Sequence, residues 1–485
     1  MDLTNSVVWF AIALVSTIAV ITKIARARTV VDPVCNKPPP PVKPPPPVVS
    51  GGSLIRLLHT FLTKGLRAMI HEQYTQLGSV FTISFFGQKV TFLIGPEVLG
   101  HFYQGVDSEI SHGNTLEFTV PMFGKEVIYG VDSATRYEQN RFYSNALKPP
   151  KLRNHADPMI QEVEDYFSKW DQQGTVDLKW ELAQLLMLIS SRCLLGREVR
   201  EKMFKEVYTL FHELSDNGLR LTSVLFPYAP ILANYRRDRA HAKLSEMFTK
   251  ITDVLQNLMD SNYKDSRPTT EAEVIGLIMN LMFAGMHTSS AASTWTGVCL
   301  LSHERWLRAV IEEQNKIVLK HGDHVDFNAL MEMDALHRCI KETLRMHPPT
   351  ATVFRKVHTN FTVQTREGYE YEIPSGHIVV SPIHFNSNLP YIYKDPDEYD
   401  PDRFGLGREE DRVGGKFSYT AFSGGRHACI GEAYAYMQIK VIWSHLLRNF
   451  EFKLVSPFPD TDQSKLALEP KGKVMVQYKR LAACV

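Results

Sequence analysis

The segment FSGGRHACIG, residues 422–431, places one cysteine among three glycines and beside two basic side chains. A cysteine binds a metal as the thiolate, a form that a helix N-terminus and nearby positive groups stabilise. The sequence after Cys429 has a long helical pattern, so Cys429 would lie at the positive end of a helix, with His427 and Arg426 facing acidic groups of a cofactor. The alternative is a surface loop that carries a purely structural cysteine.

Two further segments carry charged side chains that could form a network. KETLRMHPP contains Glu342 and Arg345, which are three residues apart and so share one face of a helix, and DPDEYDPDRFG supplies Arg403. An ordinary surface pair would account for Glu342 and Arg345 alone. It would not account for the two prolines after the helix or for the order of the motifs along the chain.

The segment LMFAGMHTSSAASTW, residues 281–295, combines small and polar side chains on one predicted helix. Ala284 and Gly285 leave room for small molecules, and the Thr288 hydroxyl can bond the helix backbone and open a local groove for water. His287 carries a group that titrates near neutral pH. Without further context, such a histidine is more often a satisfied member of the core.

The rest of the chain predicts the elements that must hold these side chains. An alternating pattern predicts a β-hairpin over residues 79–96, and beyond about residue 155 the helical period dominates. The clearest helical segments are 157–170 and 181–195, and strand character returns over 361–380 and 473–479. We therefore predict a mainly α protein with a minor β portion.

The N-terminus predicts a membrane anchor. Residues 7–22 form an apolar run at the short end of what spans a bilayer, and positive charge follows it rather than precedes it. This order favours an uncleaved signal anchor with the rest of the chain in the cytosol, whereas a cleaved signal peptide carries its positive charge first. Two KPPPPV repeats then predict a stiff spacer, with an SH3-type ligand as the alternative. The expected organisation is an anchor over 1–30, a proline-rich hinge over 31–52 and one globular domain over 53–485.

Composition excludes several classes of partner. Lys and Arg number 54 against 53 for Asp and Glu, so the chain has no net field that would attract nucleic acid. The six cysteines include no C-x-x-C pair, which argues against a zinc module and against a disulfide framework. A reducing, cytosol-facing environment fits this cysteine usage best.

The motifs around Cys429, Glu342, Arg403 and Thr288, taken together, resemble those of the cytochromes P450. The His287-Thr288 pair and His427 are similar to the sterol 14α-demethylase family, and the likeness, which runs from about residue 54 to 480, is strongest to its plant members. This resemblance implies the triangular, helix-rich cytochrome P450 fold for the catalytic domain. It also implies an endoplasmic-reticulum membrane enzyme that receives electrons from NADPH through NADPH-cytochrome P450 reductase, uses O2, and has no nucleic-acid partner.

The resemblance assigns roles to individual residues. Cys429 would be the axial thiolate of haem b, a ligand that favours cleavage of the O–O bond, and Thr288 and His287 would be catalytic. Glu342, Arg345 and Arg403 would form a buried ionic network beneath the haem. The remaining cofactor contacts would come from His427, Arg355, Tyr129, Phe422 and Gly425.

The substrate side resembles the family less closely. Residues 118–132 and 222–230 are similar to its substrate-contact and access-channel segments. The expected pocket residues are Phe118, Met122, Phe123, Leu225, Phe226, Ala284, Met286 and Leu466. Met286 stands where the family has glutamine, LALEP replaces the usual roof segment over 466–470, and a short polar segment near 252–255 is missing. At the haem end, Leu116 stands where the family has a tyrosine that would reach a haem carboxylate, whereas Tyr129 matches the second such tyrosine.

With these departures the sequence resembles the divergent grass branch of the plant family, which includes an oat oxidase of the triterpene β-amyrin. The expectation is therefore oxidation of a sterol or triterpene, with a lean toward a specialised triterpene hydroxylase or epoxidase. Obtusifoliol 14α-demethylation is the alternative, and a further alternative is an inactive paralogue that only binds haem. Loss of one hydrogen-bonding group can change substrate preference by orders of magnitude, so the substrate stays open at this point.

Overall fold

The computed structural model describes residues 43–49, 52–85, 87–113, 115–147, 149–195, 200–201, 204–249, 263–323, 325–462 and 467–482. The predicted anchor over 1–30 and most of the predicted hinge over 31–52 lie outside the described residues. So do Leu466 and the region near 252–255 where a segment is missing. The expectations for these regions stay predictions.

Helices make up most of the described chain, as predicted. They are α1 Gly52–Leu77, α2 Gly100–Gln104, α3 Val120–Phe123, α4 Ser133–Ala146, α5 Pro149–Phe167, α6 Leu178–Ser190, α7 Phe204–Gly218, α8 Leu221–Leu225, α9 Leu232–Thr249, α10 Glu271–Ser302, α11 Glu304–His321, α12 Phe327–Glu332, α13 Asp334–Met346, α14 Ile383–Asn386 and α15 Glu432–Asn449. Short 3-10 turns lie at Pro96–Val98, Glu117–Thr119, Ile128–Gly130, Pro401–Phe404, Glu410–Arg412 and Gly425–His427, and a π turn at Ser191–Leu195.

The two helices predicted from apolar periodicity are present with shifted ends. The pattern over 157–170 belongs to α5, which ends at Phe167, and the pattern over 181–195 belongs to α6 and the π turn that follows it. Helix α1 was not predicted. Gly65 has a φ of 81° within it and kinks the helix, which breaks the apolar period that sequence reasoning depends on.

The strands are β1 Val48–Val49, β2 Val80–Phe85, β3 Gln88–Leu93, β4 Ile110–Ser111, β5 Gln173–Asp177, β6 Val353–Val357, β7 Phe361–Gln364, β8 Glu370–Ile373, β9 Ile378–Ser381, β10 Phe450–Leu454 and β11 Met475–Arg480. They form sheets in the orders β1-β2-β3-β9-β6-β4, β10-β11-β5 and β7-β8. The predicted hairpin is confirmed as β2 and β3, with Val80 opposite Leu93. The predicted strands near 361–380 and 473–479 are confirmed as well.

Helix α10 runs through the core and packs against α15. It begins with a capping box, in which Thr270 and Glu273 satisfy each other's backbone N–H groups. A Cβ on Gly297 would come within 2.3 Å of the Trp443 ring, and the Trp443 indole donates to the Ser293 carbonyl at 3.0 Å. Among the described residues, α10 is the one helix that is long and apolar enough to span a membrane. More than half of its apolar stretch is buried inside the protein, which identifies it as a core helix.

This close packing places two of the chemical segments on neighbouring elements. Residues 281–295 belong to α10, and the cysteine segment 422–431 leads directly into α15. The third segment, with Glu342 and Arg345, lies on α13, which packs against both helices. The fold thus gathers three sequence-distant motifs around one central helix.

Candidate active site

The cysteine loop is held in a tight conformation against α2. Gly425 has a φ of +60°, and a Cβ there would come within 2.1 Å of the Tyr103 carbonyl oxygen. The Cys429 N–H donates to the Phe422 carbonyl at 2.9 Å, and Gly431 is the N-cap of α15. Cys429 therefore lies just before the positive end of α15, as the sequence predicts.

The Cys429 sulfur is free and its side chain is exposed. Desolvation by surrounding protein raises the pKa of the Cys429 thiol, while a hydrogen bond from the Gly431 backbone lowers that pKa and the Glu432 carboxylate raises it. The neutral thiol is therefore favoured in the protein alone. A metal cation at the sulfur would supply the positive charge that a thiolate requires.

Close to the cysteine loop lies a buried group of cations. The Arg355 side chain on β6 is 3% exposed; its Nη1 donates to the Phe354 carbonyl at 2.8 Å, and its Nε has no hydrogen-bond partner among the described residues. Burial lowers the pKa of Arg355. The nearby carboxylate of Asp107 is already bonded by Arg136 at 3.2 Å. A buried cation without a full counter-charge is costly, so this position fits an anionic group such as a haem carboxylate.

His427 and Tyr129 belong to the same group of side chains. His427 Nε2 lies 3.3 Å from Asp107 Oδ1. Burial, followed by the charge of Arg355, lowers the pKa of His427 to about 4, so this imidazole is neutral near pH 7. Tyr129 has the Arg136 guanidinium 5.7 Å from its ring centroid, and burial raises the pKa of its phenol. The structure thus brings together the predicted residues Arg355, His427 and Tyr129.

Sequence reasoning missed Asp107 and Arg136 in this group. Neither lies in a motif, and their relation to His427 spans a long stretch of chain. A weak signal exists for Arg136, because it follows the helix-capping Asp132 by four residues and so lies in the first turn of α4. Nothing in the local sequence distinguishes Asp107 from a surface aspartate.

The predicted ionic network is present and fully buried. Arg345 Nε and Nη2 donate to the two Glu342 carboxylate oxygens at 2.8 and 2.9 Å, and Arg403 Nε donates to Glu342 Oε1 at 2.9 Å. All three side chains are at most 1% exposed. Arg403 also donates to Glu410 at 2.6 Å, a partner that sequence reasoning missed.

The network satisfies backbone groups as well as charges. Arg345 donates to the carbonyls of Ser387 and Pro396 at 2.9 and 2.8 Å, and the Asp400 N–H donates to Glu342 Oε1 at 3.0 Å. It therefore ties α13 to the segments on either side of residue 400. Such a network fixes local shape more than it adds stability.

Helix α10 carries the predicted polar pair. The Thr288 hydroxyl donates to the Ala284 carbonyl at 2.7 Å, which is the local backbone bond expected for this threonine. The His287 ring stacks on Phe283 with centroids 6.0 Å apart, and Phe283 contacts Phe123 at 5.3 Å. Met286, in contrast, is 6% exposed and packs within an apolar cluster.

The predicted substrate-contact segment lies against α10 and α7. A Cβ on Gly276 would come within 2.3 Å of the Phe123 carbonyl, and one on Gly218 within 2.6 Å of Met122 Sδ. Phe118, Met122 and Phe123 are all buried, whereas Ala284 is exposed. Leu225 has 52% of its surface exposed and so lies at the edge of this region. Leu466 lies outside the described residues.

Comparison with known proteins agrees with this arrangement. The family model for Cytochrome P450 matches residues 40–477. The chain is 53% identical over 440 residues to obtusifoliol 14-alpha demethylase of Sorghum bicolor, covering 88% of each protein. It is 52% identical to sterol 14-demethylase of Arabidopsis thaliana, covering 88% of this chain and 89% of that protein. It is 33% identical to lanosterol 14-alpha demethylase of Bos taurus, covering 85% of this chain and 83% of that protein.

A solved structure supports the fold. Retinoic-acid-bound cyanobacterial CYP120A1 matches with a TM-score of 0.78 at 22% identity, over 91% of this chain and 100% of that one. The predicted mainly α architecture is therefore confirmed. The cysteine loop, the uncompensated Arg355 and the match over residues 40–477 lead to one conclusion: the chain belongs to the cytochrome P450 family of haem-thiolate monooxygenases and within it resembles the plant sterol 14-demethylases.

Proposed function

We propose that this monooxygenase removes the 14α-methyl group of a plant sterol precursor of the obtusifoliol type. The observation that carries the proposal is 52–53% identity, over 88% of the chain, to two plant enzymes named as 14-demethylases. The prediction that the substrate is a triterpene is not confirmed. The demethylase alternative is at least as well supported by the same relatives.

The residues at the cofactor end fit this activity. Cys429 would hold the haem iron, and Arg355, His427 and Tyr129 would hold the haem carboxylates. When bound, the haem supplies the oxygen-activating chemistry. Electrons would come from NADPH through NADPH-cytochrome P450 reductase, with the enzyme at the endoplasmic-reticulum membrane.

Two residues on α10, Thr288 and His287, would deliver protons to the oxygen-binding side of the haem. The Thr288 hydroxyl donates to the Ala284 carbonyl at 2.7 Å, and its oxygen can accept a hydrogen bond from a bound water. His287, whose ring lies parallel to the Phe283 ring with centroids 6.0 Å apart, would be the proton source.

Triterpene oxidation is the second candidate, and Met286 favours it. Met286 is buried on α10 and presents no amide there. A pocket with fewer polar groups accepts a more apolar ring system without leaving a buried partner unsatisfied. The two candidates share the haem end and differ only in this pocket.

Product analysis separates the candidates. Microsomes that contain the expressed protein, the reductase and NADPH are supplied with obtusifoliol or β-amyrin, and the products are identified by gas chromatography and mass spectrometry. The 14-demethylated sterol supports the proposal, whereas oxidised β-amyrin alone overturns it in favour of the second candidate. No product with either substrate, despite an intact thiolate signal in the carbon monoxide difference spectrum, would indicate an inactive paralogue. Cys429→Ser serves as the control, because it should abolish that signal.

A further inference from the structure

His112 follows β4 and begins a turn that is closed by hydrogen bonds. In β4, Ser111 pairs with Lys356 of β6, the strand that carries Arg355. The Thr115 N–H and hydroxyl both donate to the His112 carbonyl, at 3.1 and 2.6 Å. Gly113 has a φ of +53°, and a Cβ there would come within 2.9 Å of Lys356 Cβ. The backbone at His112 is therefore positioned by the strand pairing with β6 and by this turn.

The His112 ring lies between two residues assigned to the haem carboxylates. It meets the His427 ring edge to face, with centroids 4.7 Å apart and planes at 83°. The Tyr129 ring centroid lies 5.2 Å from that of His112, with the ring planes at 58°. The His112 side chain is 7% exposed, and its Nδ1 is buried without a hydrogen-bond partner among the described residues.

The permanently charged groups that lower the pKa of His112 are cations, while the Asp107 carboxylate lies beside His427. Burial, followed by the charge of Arg355, that of His427 when it is protonated, and that of Arg136, lowers the pKa of His112 to about 2. The ring is therefore neutral, and it offers one N–H donor among cations. A buried N–H that faces no acceptor is costly, and native proteins normally satisfy such groups. A carboxylate at this place would accept from the His112 ring and offset the charge of Arg355.

We propose that His112 is a cofactor-binding residue, which donates its Nδ1–H to a haem carboxylate and replaces the hydroxyl that Leu116, four residues later, does not provide. The two positions lie on consecutive turns, since Thr115 bonds the His112 carbonyl and Leu116 is the N-cap of the 3-10 turn Glu117–Thr119. The proposal rests on haem binding and not on the identity of the substrate. It remains testable even where neither obtusifoliol nor β-amyrin is oxidised.

The test measures haem release from the full-length, haem-loaded protein. Transfer of haem to excess apomyoglobin is followed for the wild type, His112→Leu and His112→Gln. We expect His112→Leu to release haem about tenfold faster, which corresponds to about 1.4 kcal/mol, and to lower the reduction potential, because the carboxylate keeps more of its negative charge. His112→Gln retains an N–H donor and should restore both quantities at least halfway to the wild type.

A matched control separates loss of the donor from loosening of the turn. His358 bonds the Ser111 hydroxyl at 2.8 Å from the solvent side, so His358→Leu disturbs the same strand end without removing the donor. We expect this variant to keep the wild-type release rate and potential. Equal release from His112→Leu and the wild type, or no rescue by His112→Gln, would overturn the proposal.

A crystal structure of the haem-loaded wild type provides a test that does not depend on folding of a variant. The proposal expects His112 Nδ1 about 2.7–3.2 Å from a haem carboxylate oxygen. An Nδ1 that points elsewhere, or that bonds only protein atoms, would contradict it.

Discussion

Gly425 lies directly against Tyr103, with room for a hydrogen atom but not for a methyl group. A Cβ on Gly425 would come within 2.1 Å of the Tyr103 carbonyl oxygen and 2.6 Å of its carbon. Tyr103 is itself buried and bonded to Ser381 at 3.2 Å, so it has little freedom to move. This contact fixes the cysteine loop on α2 and thereby sets the position of the sulfur.

Gly425→Ala should therefore displace the cysteine loop. The added methyl group meets backbone atoms, and its φ of +60° alone costs about 1–2 kcal/mol for a residue with a Cβ. We expect loss of most of the thiolate signal in the carbon monoxide difference spectrum. Gly407→Ala is the control, since Gly407 has a φ of +87° but no atom within 4 Å of an added Cβ. Full signal in Gly425→Ala would contradict the steric argument.

Glu342→Gln should destabilise the fold strongly. The change leaves Arg345 and Arg403 buried without their shared carboxylate, and removing one partner of a buried ion pair costs about 3–5 kcal/mol. Urea unfolding of the haem-loaded protein measures this cost. As a control, Glu304→Gln removes the exposed pair with Arg308, which should change the free energy of unfolding by less than about 1 kcal/mol. Similar effects of the two changes would show that burial of the network contributes nothing.

Thr288→Ala should impair turnover without unfolding α10. The variant loses the hydroxyl that bonds the Ala284 carbonyl, and loss of a group in proton delivery lowers the rate about a hundredfold or more. The share of NADPH electrons released as hydrogen peroxide should rise at the same time. Thr294→Ala removes the same kind of bond, to Ser290 at 2.7 Å, from the buried part of the helix. It should keep the wild-type ratio of product to peroxide, and a rise in peroxide there would remove the special role of Thr288.

Acid should destabilise the protein through His347. This ring stacks on Trp295 at 3.9 Å, and burial lowers its pKa to about 3. The unfolded chain, with a histidine pKa near 6.5, binds the proton more readily, so stability is full above about pH 6.5 and falls as the pH drops toward 3. Between pH 7 and 4.5, urea unfolding should show a loss from this group of up to about 2–3 kcal/mol. His347→Phe keeps an aromatic ring and should lose less over this range; an unchanged slope would exclude His347 as the cause.

Much of the fold could be predicted from local pattern. The sequence pattern over 79–96 predicted the hairpin, although both faces of its strands are buried, with Phe81 and Phe92 in one apolar cluster and Val80 and Leu93 in another. Helix α15 follows the cysteine with an unbroken helical period. The helix ends were less predictable. The pattern of α6 continues past Ser190, but the backbone changes there to a π turn, and apolar spacing does not distinguish the two conformations.

By itself, the sequence determined which segments carry the candidate residues of the cofactor end. Cys429, Glu342, Arg345 and Arg403 stand in motifs where residue type and spacing carry the information, and the structure joins the last three as expected. Only the tertiary structure decided which other side chains meet them. Asp107, Glu410 and His112 lie in segments with no distinctive pattern, and their partners are brought near by sheet pairing and loop packing rather than by spacing along the chain.

The physical reason is the difference between local and long-range constraint. A glycine, a cap or a helical face restricts its own neighbourhood and so leaves a trace in the sequence. A buried charge is paired with a group that the fold places beside it, and that group can come from anywhere in the chain. The cysteine loop could therefore be predicted as a ligand site from ten residues, 422–431, whereas the polar surroundings of Arg355 became visible only in three dimensions.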